Sequence, residues 1–404
     1  MIRPILIAIL LHALLQASLA VVAQPKQQTD NFLSPDVYKT MEEIHALIDT
    51  QAYDEAERQL TRLFEKRRLS TFERAMVWRT RGYIGVQQDD YDRAIEAFET
   101  ALALEVIEPE AANEMRFNIG QLHMAQDRIA AALPWLEQWR EAAAYPTGQA
   151  LMTLASAYAQ LDRNEEALDA ALSAINVAPP GYADWYNFAA AMQMFLDRYD
   201  QATDLLQRAV LLFPEEKELW VRLASAYVEM EQTDKALAVA QLAAEQGLWR
   251  EGDQRKFLAQ LYLNVDLPYP GAETLDDAFE AGLLKRTAED LELLSSAWLM
   301  ARERTEALPA LQTAAEAAED GELFYRLGQY QLADENWDAA IESFQAALNK
   351  GGLDKPARVH MALGIALTEV KNYEAARKAF RAAARDPETA REARTWLADL
   401  SNRS

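Results

Sequence analysis

The sequence WRTRGYIGVQQDDYDRAIEAFETA, at residues 78–101, combines small and large residues at the spacing of two paired helices. Residues 363–387, LGIALTEVKNYEAARKAFRAAARDP, carry the same combination. The matching residues are Gly82 and Gly364, Tyr91 and Tyr373, Ala94 and Ala376, Phe98 and Phe380, and Ala101 and Ala383. Small residues allow two helices to cross closely, and the Phe four positions after the alanine fills the remaining space. Each stretch therefore predicts two antiparallel helices.

The alanine of this pattern recurs along the whole chain. Its equivalents are Ala56, Ala94, Ala132, Ala167, Ala202, Ala236, Gly271, Ala307, Ala340 and Ala376. Twelve residues before all but the first lies a second small residue: Gly82, Gly120, Ala155, Ala190, Ala224, Ala259, Ser295, Gly328 and Gly364. A period of about 34 residues with this spacing resembles the tetratricopeptide repeat, in which stacked helix pairs share one core. The sequence predicts an all-α, right-handed α-solenoid of about ten helix pairs.

The two ends of the chain predict an export signal and a cap. Residues 1–23 contain Arg3, an apolar run and a small-residue tripeptide, as in a signal peptide. Cleavage after Ala23 competes with cleavage after Ala20, and an uncleaved membrane anchor stays an alternative. We expect a polar linker at residues 24–35, the repeats at 36–386 and a capping helix at 387–404, where Trp396 packs on the last repeat.

Composition restricts the compartment and the partners. The chain has no Cys, which excludes disulfides and the lipid attachment of a lipoprotein, and its net charge is −24. Together with the export signal, this predicts a periplasmic protein that binds neither nucleic acid nor an anionic lipid surface. Residues 269–350 hold 17 acidic and 6 basic side chains, whereas residues 351–404 hold 10 basic and 7 acidic ones. The acidic stretch either steers a basic partner or is a solvated surface.

Three irregular places interrupt the pattern. The first two intervals between the alanines are 38 residues, which predicts extended loops near residues 65–75 and 105–112. Pro268 and Pro270 require the second helix of their pair to start abruptly, because proline is not accommodated inside a helix. The glycines of residues 350–352 predict a flexible connector or a hinge.

No stretch of the sequence carries a catalytic signature. The four histidines (His12, His45, His123 and His360) are far apart, and HExxH, GxSxG, GxGxxG and phosphate-loop motifs are absent. We therefore predict a non-catalytic protein without cofactor or metal. A site hidden among the surface carboxylates stays an alternative.

The first helices of the pairs supply the candidate binding residues. When the small residue of each first helix is numbered eight, positions five, nine and twelve are expected to face a groove. From these positions we select Tyr83, Phe117, Gln121, Asn187, Gln260, Tyr325 and Gln329 as candidate contacts for an extended or helical segment. Packing against adjacent helices is the alternative role for this row. Lys256 with Gln260 is the nearest approach to the Lys–Asn clamp that chaperone-binding members use for a terminal carboxylate, and such a clamp is disfavoured.

Five segments resemble a narrower group, the periplasmic tetratricopeptide proteins associated with the TonB–ExbB–ExbD system of Gram-negative bacteria. They are Leu33–Ala56, Leu291–Glu303, Asp320–Ala340, Lys350–Ala383 and Arg391–Leu400. The resemblance implies a helper role beside a proton-driven complex that powers outer-membrane uptake, with envelope proteins such as TonB, ExbB or ExbD as partners. Membrane contact would then come through these partners or through an uncleaved signal. A general envelope-assembly scaffold, for peptidoglycan synthesis or pilus machinery, is the alternative.

Overall fold

The protein is described by a computed structural model that covers residues 32–66 and 68–402. These residues form 21 α-helices and no strand. The chain divides into an N-terminal unit, Met1–Leu205, and a C-terminal unit, Leu206–Ser404. The predicted signal peptide at 1–23 and most of the predicted linker at 24–35 lie outside the described residues.

The helices follow one another as ten pairs and a terminal helix. In the N-terminal unit they are α1 (Pro35–Asp49), α2 (Tyr53–Lys66), α3 (Thr71–Gln87), α4 (Tyr91–Leu102), α5 (Pro109–Ala125), α6 (Ile129–Ala142), α7 (Gly148–Ala159), α8 (Asn164–Val177) and α9 (Ala183–Phe195). Helix α10 (Tyr199–Leu212) contains the boundary between the units. The C-terminal unit continues with α11 (Lys217–Glu229), α12 (Thr233–Glu245), α13 (Gly252–Asn264), α14 (Pro268–Glu280), α15 (Ala288–Met300), α16 (Arg304–Ala317), α17 (Glu322–Ala333), α18 (Trp337–Lys350), α19 (Pro356–Glu369), α20 (Tyr373–Ala383) and α21 (Ala390–Asn402). The prediction of an all-α chain of about ten helix pairs is confirmed.

The small residues lie where the two helices of a pair touch. A methyl group on Gly82 would stand 2.3 Å from the Phe98 ring, and one on Gly364 would stand 2.6 Å from Phe380. All ten members of the alanine series are buried. Such close approach brings the apolar stripes of both helices into one core, as the spacing predicts.

Each pair turns through the same backbone motif. In each turn, the residue two positions before the second helix has a left-handed backbone, with φ between 56° and 66°. These residues are Gln51, Asp89, Asp127, Asp162, Asp197, Glu231, Asp266, Arg302, Glu335 and Lys371. The next amide donates to a carbonyl five residues earlier, as Asp90 N does to Gly85 O at 2.9 Å. This is the hydrogen bond of a Schellman C-cap, formed here without glycine. The sequence predicts the positions of these turns but not their backbone conformation.

The long first intervals have a different origin from the one predicted. Helix α2 ends at Lys66 and α3 begins at Thr71, and only residues 103–108 separate α4 from α5. The prediction of extended loops is therefore wrong. The additional residues lie in α3 and α5, which have 17 residues each, whereas the other first helices have 12 to 15.

Two predicted helix ends agree with the structure. Helix α14 starts at Pro268, and both prolines lie in its first turn, where their missing amide hydrogens cost nothing. In α21, Ala393 and Leu400 are buried against the last pair. The Trp396 ring stacks on Phe380 at 5.5 Å, as expected for a cap.

None of the described helices combines the length and the apolar character needed to cross a membrane.

Candidate partner-binding face

The first helices present one consistent face in both units. Position eight of the repeat is buried in every pair from α3 onward, whereas position nine is half-buried or exposed throughout. The position-nine residues are Tyr83, Gln121, Ser156, Ala191, Ser225, Gln260, Ser296, Gln329 and Ile365. Consecutive residues of a helix point in different directions. When position eight is buried against the second helix of the pair, position nine therefore lies next to that contact and is open to solvent.

The seven candidate residues divide between the units. Tyr83, Phe117, Gln121 and Asn187 lie in the N-terminal unit and are half-buried. Gln260, Tyr325 and Gln329 lie in the C-terminal unit, and the two glutamines are exposed. Each group is a separate stretch of first-helix surface.

The aromatic candidates also pack within the protein. The Tyr83 ring meets Phe98 edge-on at 5.3 Å, and its hydroxyl accepts hydrogen bonds from the Arg79 guanidinium at 3.3 Å. Phe117 lies 4.8 Å from Trp139, ring centre to ring centre. A partner would therefore contact only the exposed edges of these rings. The alternative role, packing against adjacent helices, applies to these two residues.

Tyr325 has a similar double role in the C-terminal unit. Its ring centre lies 6.0 Å from that of Phe344. Burial raises the pKa of its hydroxyl, an effect that Arg358 opposes and Glu322 reinforces, while a hydrogen bond with Gln329 lowers it. The hydroxyl therefore stays protonated at neutral pH and can donate to a partner.

Lys256 is engaged inside the protein. Its Nζ lies 2.5 Å from Asp290 Oδ1 and 3.4 Å from Glu289 Oε1. Its hydrogen bond to Asp290 is the largest effect that raises the pKa of the lysine, against a smaller opposing effect of burial. Since two carboxylates of the next pair already neutralise the ammonium, the structure agrees with the expectation that Lys256 and Gln260 form no carboxylate clamp.

Ion pairs with a spacing of about one repeat join neighbouring pairs. They include Arg128 with Asp92, Arg198 with Glu165, Lys217 with Glu251, Lys256 with Asp290, Arg326 with Glu292 and Lys355 with Glu388. Most of these side chains are exposed, so each pair contributes at most about 1 kcal/mol. The chain holds 64 carboxylates against 40 Lys and Arg side chains, and this excess makes the surface acidic.

The remaining polar features show no chemical site. In the described residues, no group of three or more His, Asp or Glu side chains has metal-binding geometry. His45, His123 and His360 stand on α1, α5 and α19, and burial lowers the pKa of each. A hollow of about 410 Å³ is lined by Asp54, Glu57, Arg58, Thr61, Arg62, Gln88 and Arg93. Glu57 pairs with Arg81 and Arg93, which makes the hollow part of an ion-paired surface.

Tetratricopeptide repeat models match residues 79–148, 148–180, 196–248, 296–357 and 325–389. Together these ranges cover more than half of the chain. The chain is a tetratricopeptide repeat protein. This repeat is generally a non-catalytic scaffold for protein–protein interaction, and no enzyme family matches the chain.

Several solved structures are similar to this chain at low identity and with low TM-scores. MamA is 21% identical over 43% of this chain and 91% of its own, with a TM-score of 0.38. A tetratricopeptide repeat protein from Parabacteroides merdae ATCC 43184 is 17% identical over 63% of this chain and 97% of its own, with a TM-score of 0.40. The TPR2AB domain of yeast Sti1, in complex with pHSP90, is 18% identical over 63% and 98%, with a TM-score of 0.33. No curated protein sequence matches the chain. None of these similarities identifies a partner of this tetratricopeptide repeat protein.

One exposed residue of the face escaped the sequence analysis. Phe195, at position thirteen of its repeat, is 67% exposed at the end of α9. The sequence feature that could have indicated Phe195 is its position, an aromatic residue directly before a turn. The candidate set considered only positions five, nine and twelve.

Proposed function

We propose that this tetratricopeptide repeat protein is an exported, periplasmic accessory factor of a TonB-type energy-transduction complex. In this proposal, the exposed positions of the first helices bind an extended or helical segment of an envelope protein. The protein supplies no chemistry of its own. It holds its partner beside the complex that drives outer-membrane uptake.

The binding function rests on one observation. Position nine of the first helices is accessible in both units, as is position five in every pair from α3 to α17, although position eight is buried. The accessible side chains at these two positions include four amides, three aromatic rings and one methionine, which suit contact with a protein segment. A folded core alone does not require such residues at solvent-accessible positions.

The compartment and the complex rest on the sequence. The features of a signal peptide at residues 1–23 support export, and the absence of Cys fits a chain that needs no disulfide or lipid. The five segments that resemble TonB-associated periplasmic proteins support the choice of complex. Intact-mass analysis of the protein from a periplasmic fraction tests cleavage after Ala23. A protein that retains residues 1–23 and is found in a membrane fraction would contradict cleavage and show that the segment is a membrane anchor.

The test of function is deletion of the gene, followed by measurement of TonB-dependent uptake and by purification of the tagged protein with its partners. We expect reduced uptake and a Ton component in the purified complex. Normal uptake, with no Ton component bound, would reject the proposal and favour the envelope-assembly scaffold.

Complementation with surface variants tests the binding face. Gln260→Arg with Gln329→Arg places two bulky cations on the exposed first-helix face, and the second substitution also removes the hydrogen bond between Gln329 and Tyr325. Gln345→Arg, at an exposed position of second helix α18, is the matched control. We expect the first variant to lose uptake and the partner, and the control to retain both. Equal behaviour of the two variants would contradict a first-helix binding face.

A further inference from the structure

We infer that the first-helix face of α5, α7 and α9 binds an amphipathic helix whose contacting face is uncharged and whose one edge is basic. This inference rests on the binding face of the proposed function and adds the chemistry of the partner segment. It concerns the N-terminal unit alone.

The contacting surface is apolar and nearly free of charge. Helix α7 contains no charged residue at all, and α9 contains one, Asp184 in its first turn. The half-buried or exposed side chains of the face are Phe117, Gln121, Met124, Met152, Ser156, Asn187, Met194 and Phe195. Methionine side chains adapt their shape to an apolar partner. A charged group laid on this surface would lose its hydration without gaining a partner, so the bound face must be uncharged.

The helices that build this surface are joined through their neighbours. Helix α6 packs against α5 and α7, and α8 packs against α7 and α9. At the start of α7, a methyl group on Gly148 would stand 2.4 Å from the Trp185 ring of α9, which places the two first helices in direct contact. The face is therefore a surface shared by successive repeats and can take a helix that extends over more than one repeat.

One edge of the face is a row of aspartates. Asp127, Asp162 and Asp197 are exposed at the turns that follow α5, α7 and α9. Their backbone amides donate to the carbonyls of residues on the face, as Asp127 N does to Met124 O at 3.0 Å and Asp197 N does to Met194 O at 3.0 Å. The row therefore directly adjoins the methionines.

The arginines beside these aspartates point elsewhere. Arg128 binds Asp92 at 2.6 Å, Arg163 binds Glu137 at 2.9 Å and Arg198 binds Glu165 at 2.5 Å. Within the described residues, none of the three turn aspartates forms an ion pair. The C-terminal ends of the first helices add partial negative charge at the same edge. Charge complementarity therefore selects lysine or arginine along the corresponding edge of the partner helix.

The other charges of the three first helices agree with this sign. Glu110, Glu114 and Asp184 are acidic, and Arg116 is the one cation among them. An acidic partner segment would meet uncompensated carboxylates on both sides of the apolar surface, and its binding would cost free energy.

The experiment uses the purified full chain and two labelled synthetic peptides, both amphipathic helices with the same apolar face. One peptide has Lys along one edge and the other has Glu there. Binding is followed by fluorescence anisotropy at low and at physiological salt. We expect the Lys peptide to bind about tenfold or more tightly than the Glu peptide, with a preference that falls as salt rises. Equal binding of the two peptides would overturn the inference.

Charge-removing variants then locate the surface. Combined Asp127→Asn, Asp162→Asn and Asp197→Asn substitutions keep the left-handed turns, because asparagine tolerates that backbone, and should weaken the Lys peptide about tenfold. The matched control removes three carboxylates at the same turn position of the C-terminal unit, by Glu231→Gln, Asp266→Asn and Glu335→Gln. An equal loss in both variants would mean non-specific attraction to an acidic protein and would overturn the inference.

The apolar part of the face has a separate test. Met152→Lys puts a charge at its centre and should abolish binding of the Lys peptide, while circular dichroism reports an unchanged fold. Self-association of the wild-type chain that Met152→Lys abolishes would assign the face to a second copy and overturn the inference.

A Ton component that co-purifies with the triple Asp→Asn variant as well as with the wild type would overturn this inference but not the proposed function. Absence of a Ton component from the wild type would overturn the proposed function, and the peptide result would stand.

Discussion

Gly82 shows how strongly single residues constrain this fold. The space above its Cα is filled by Phe98, and Gly328 with Phe344 and Gly364 with Phe380 repeat the arrangement. Where the first helix has alanine instead, the opposing residue is smaller, as with Ala259 and Leu275. In these three pairs glycine and phenylalanine are complementary, because the small residue allows the close crossing and the ring fills the remaining volume, whereas Gly120 faces Leu136.

Replacing Gly82 by Ala should lower the free energy of unfolding by about 1–3 kcal/mol, because the new methyl group overlaps the Phe98 ring. Chemical denaturation monitored by circular dichroism measures the change. Adding Phe98→Leu creates the combination already present at Ala259 and Leu275. Part of the lost stability should then return. An unaltered midpoint for Gly82→Ala would mean that the helices are farther apart than the structure indicates.

His123 makes stability depend on pH in a defined window. Burial lowers its pKa first, Arg128 lowers it further and Asp92 partly opposes them. The folded state therefore binds fewer protons than the unfolded state in the interval between its lowered pKa and the unfolded pKa of about 6.5. Stability should fall as pH drops from about 7 to 5.5. In His123→Asn the decrease should be smaller when thermal unfolding is measured at both pH values. A decrease of the same size in the variant would remove His123 as a cause.

At the scale of elements, the turns within the helix pairs contain non-glycine residues in a left-handed backbone conformation, which glycine would adopt without steric strain. Glu231 connects α11 to α12 with φ of 56°, a backbone that favours Gly, Asn or Asp. Glu231→Asn should raise the unfolding free energy by about 0.5–1 kcal/mol, because the short amide side chain tolerates this backbone. Asp266→Asn, at the equivalent turn, should have little effect, as both residues suit it. Destabilisation by Glu231→Asn would show that the Glu231 side chain contributes more than its backbone costs.

The contact between the start of α1 and the start of α3 depends on Glu73. Its Oε1 accepts hydrogen bonds from Ser34 N and Oγ, and its Oε2 accepts one from Ser70 N at 2.8 Å. Burial raises the pKa of this carboxyl, but the hydrogen bonds of Ser34 and Ser70 together outweigh burial and hold it below its usual value. Glu73 therefore stabilises the fold above its unfolded pKa of about 4.3, and this contribution is lost as pH falls through the lower folded pKa.

Glu73→Ala should cost about 1–3 kcal/mol at neutral pH, because three donors lose their acceptor. Glu96→Ala, on an exposed surface of α4, is the control and should change stability by about 0.5 kcal/mol or less. Urea unfolding of both variants measures the difference. Similar midpoints for the two variants would contradict a special role for Glu73.

At the scale of the whole molecule, net charge opposes folding. The chain carries a net charge of −24, and some of its cations form ion pairs between neighbouring repeats. Raising NaCl from about 20 to 300 mM should increase the unfolding temperature, because screening reduces repulsion among the excess carboxylates. The exposed ion pairs weaken at the same time but contribute little each. A lower unfolding temperature at high salt would mean that these pairs outweigh the repulsion.

The periodic spacing in the sequence determined the helix pairs, their number and the places where they turn. This was possible because one small residue and one large residue at fixed positions are enough to define a helix crossing. The small residue recurs ten times, and the large residue follows it in eight of these copies. The cap at Trp396 and the start of α14 at Pro268 followed from local rules of the same kind. The candidate face could also be located, since position eight fixes which side of each first helix is buried.

Only the tertiary structure decided how much of each candidate side chain is accessible to a partner. The sequence left two roles open for Tyr83 and Phe117, contact with a partner or packing against adjacent helices, and in the structure Phe98 and Trp139 cover part of their rings. The additional residues of the first two intervals extend helices and not loops, because a longer first helix keeps its buried face while a loop would bury nothing. Within the part of the chain that the structure describes, the three turn aspartates form no ion pair because the arginine directly after each of them binds a carboxylate of the preceding repeat, which lies far away in the chain.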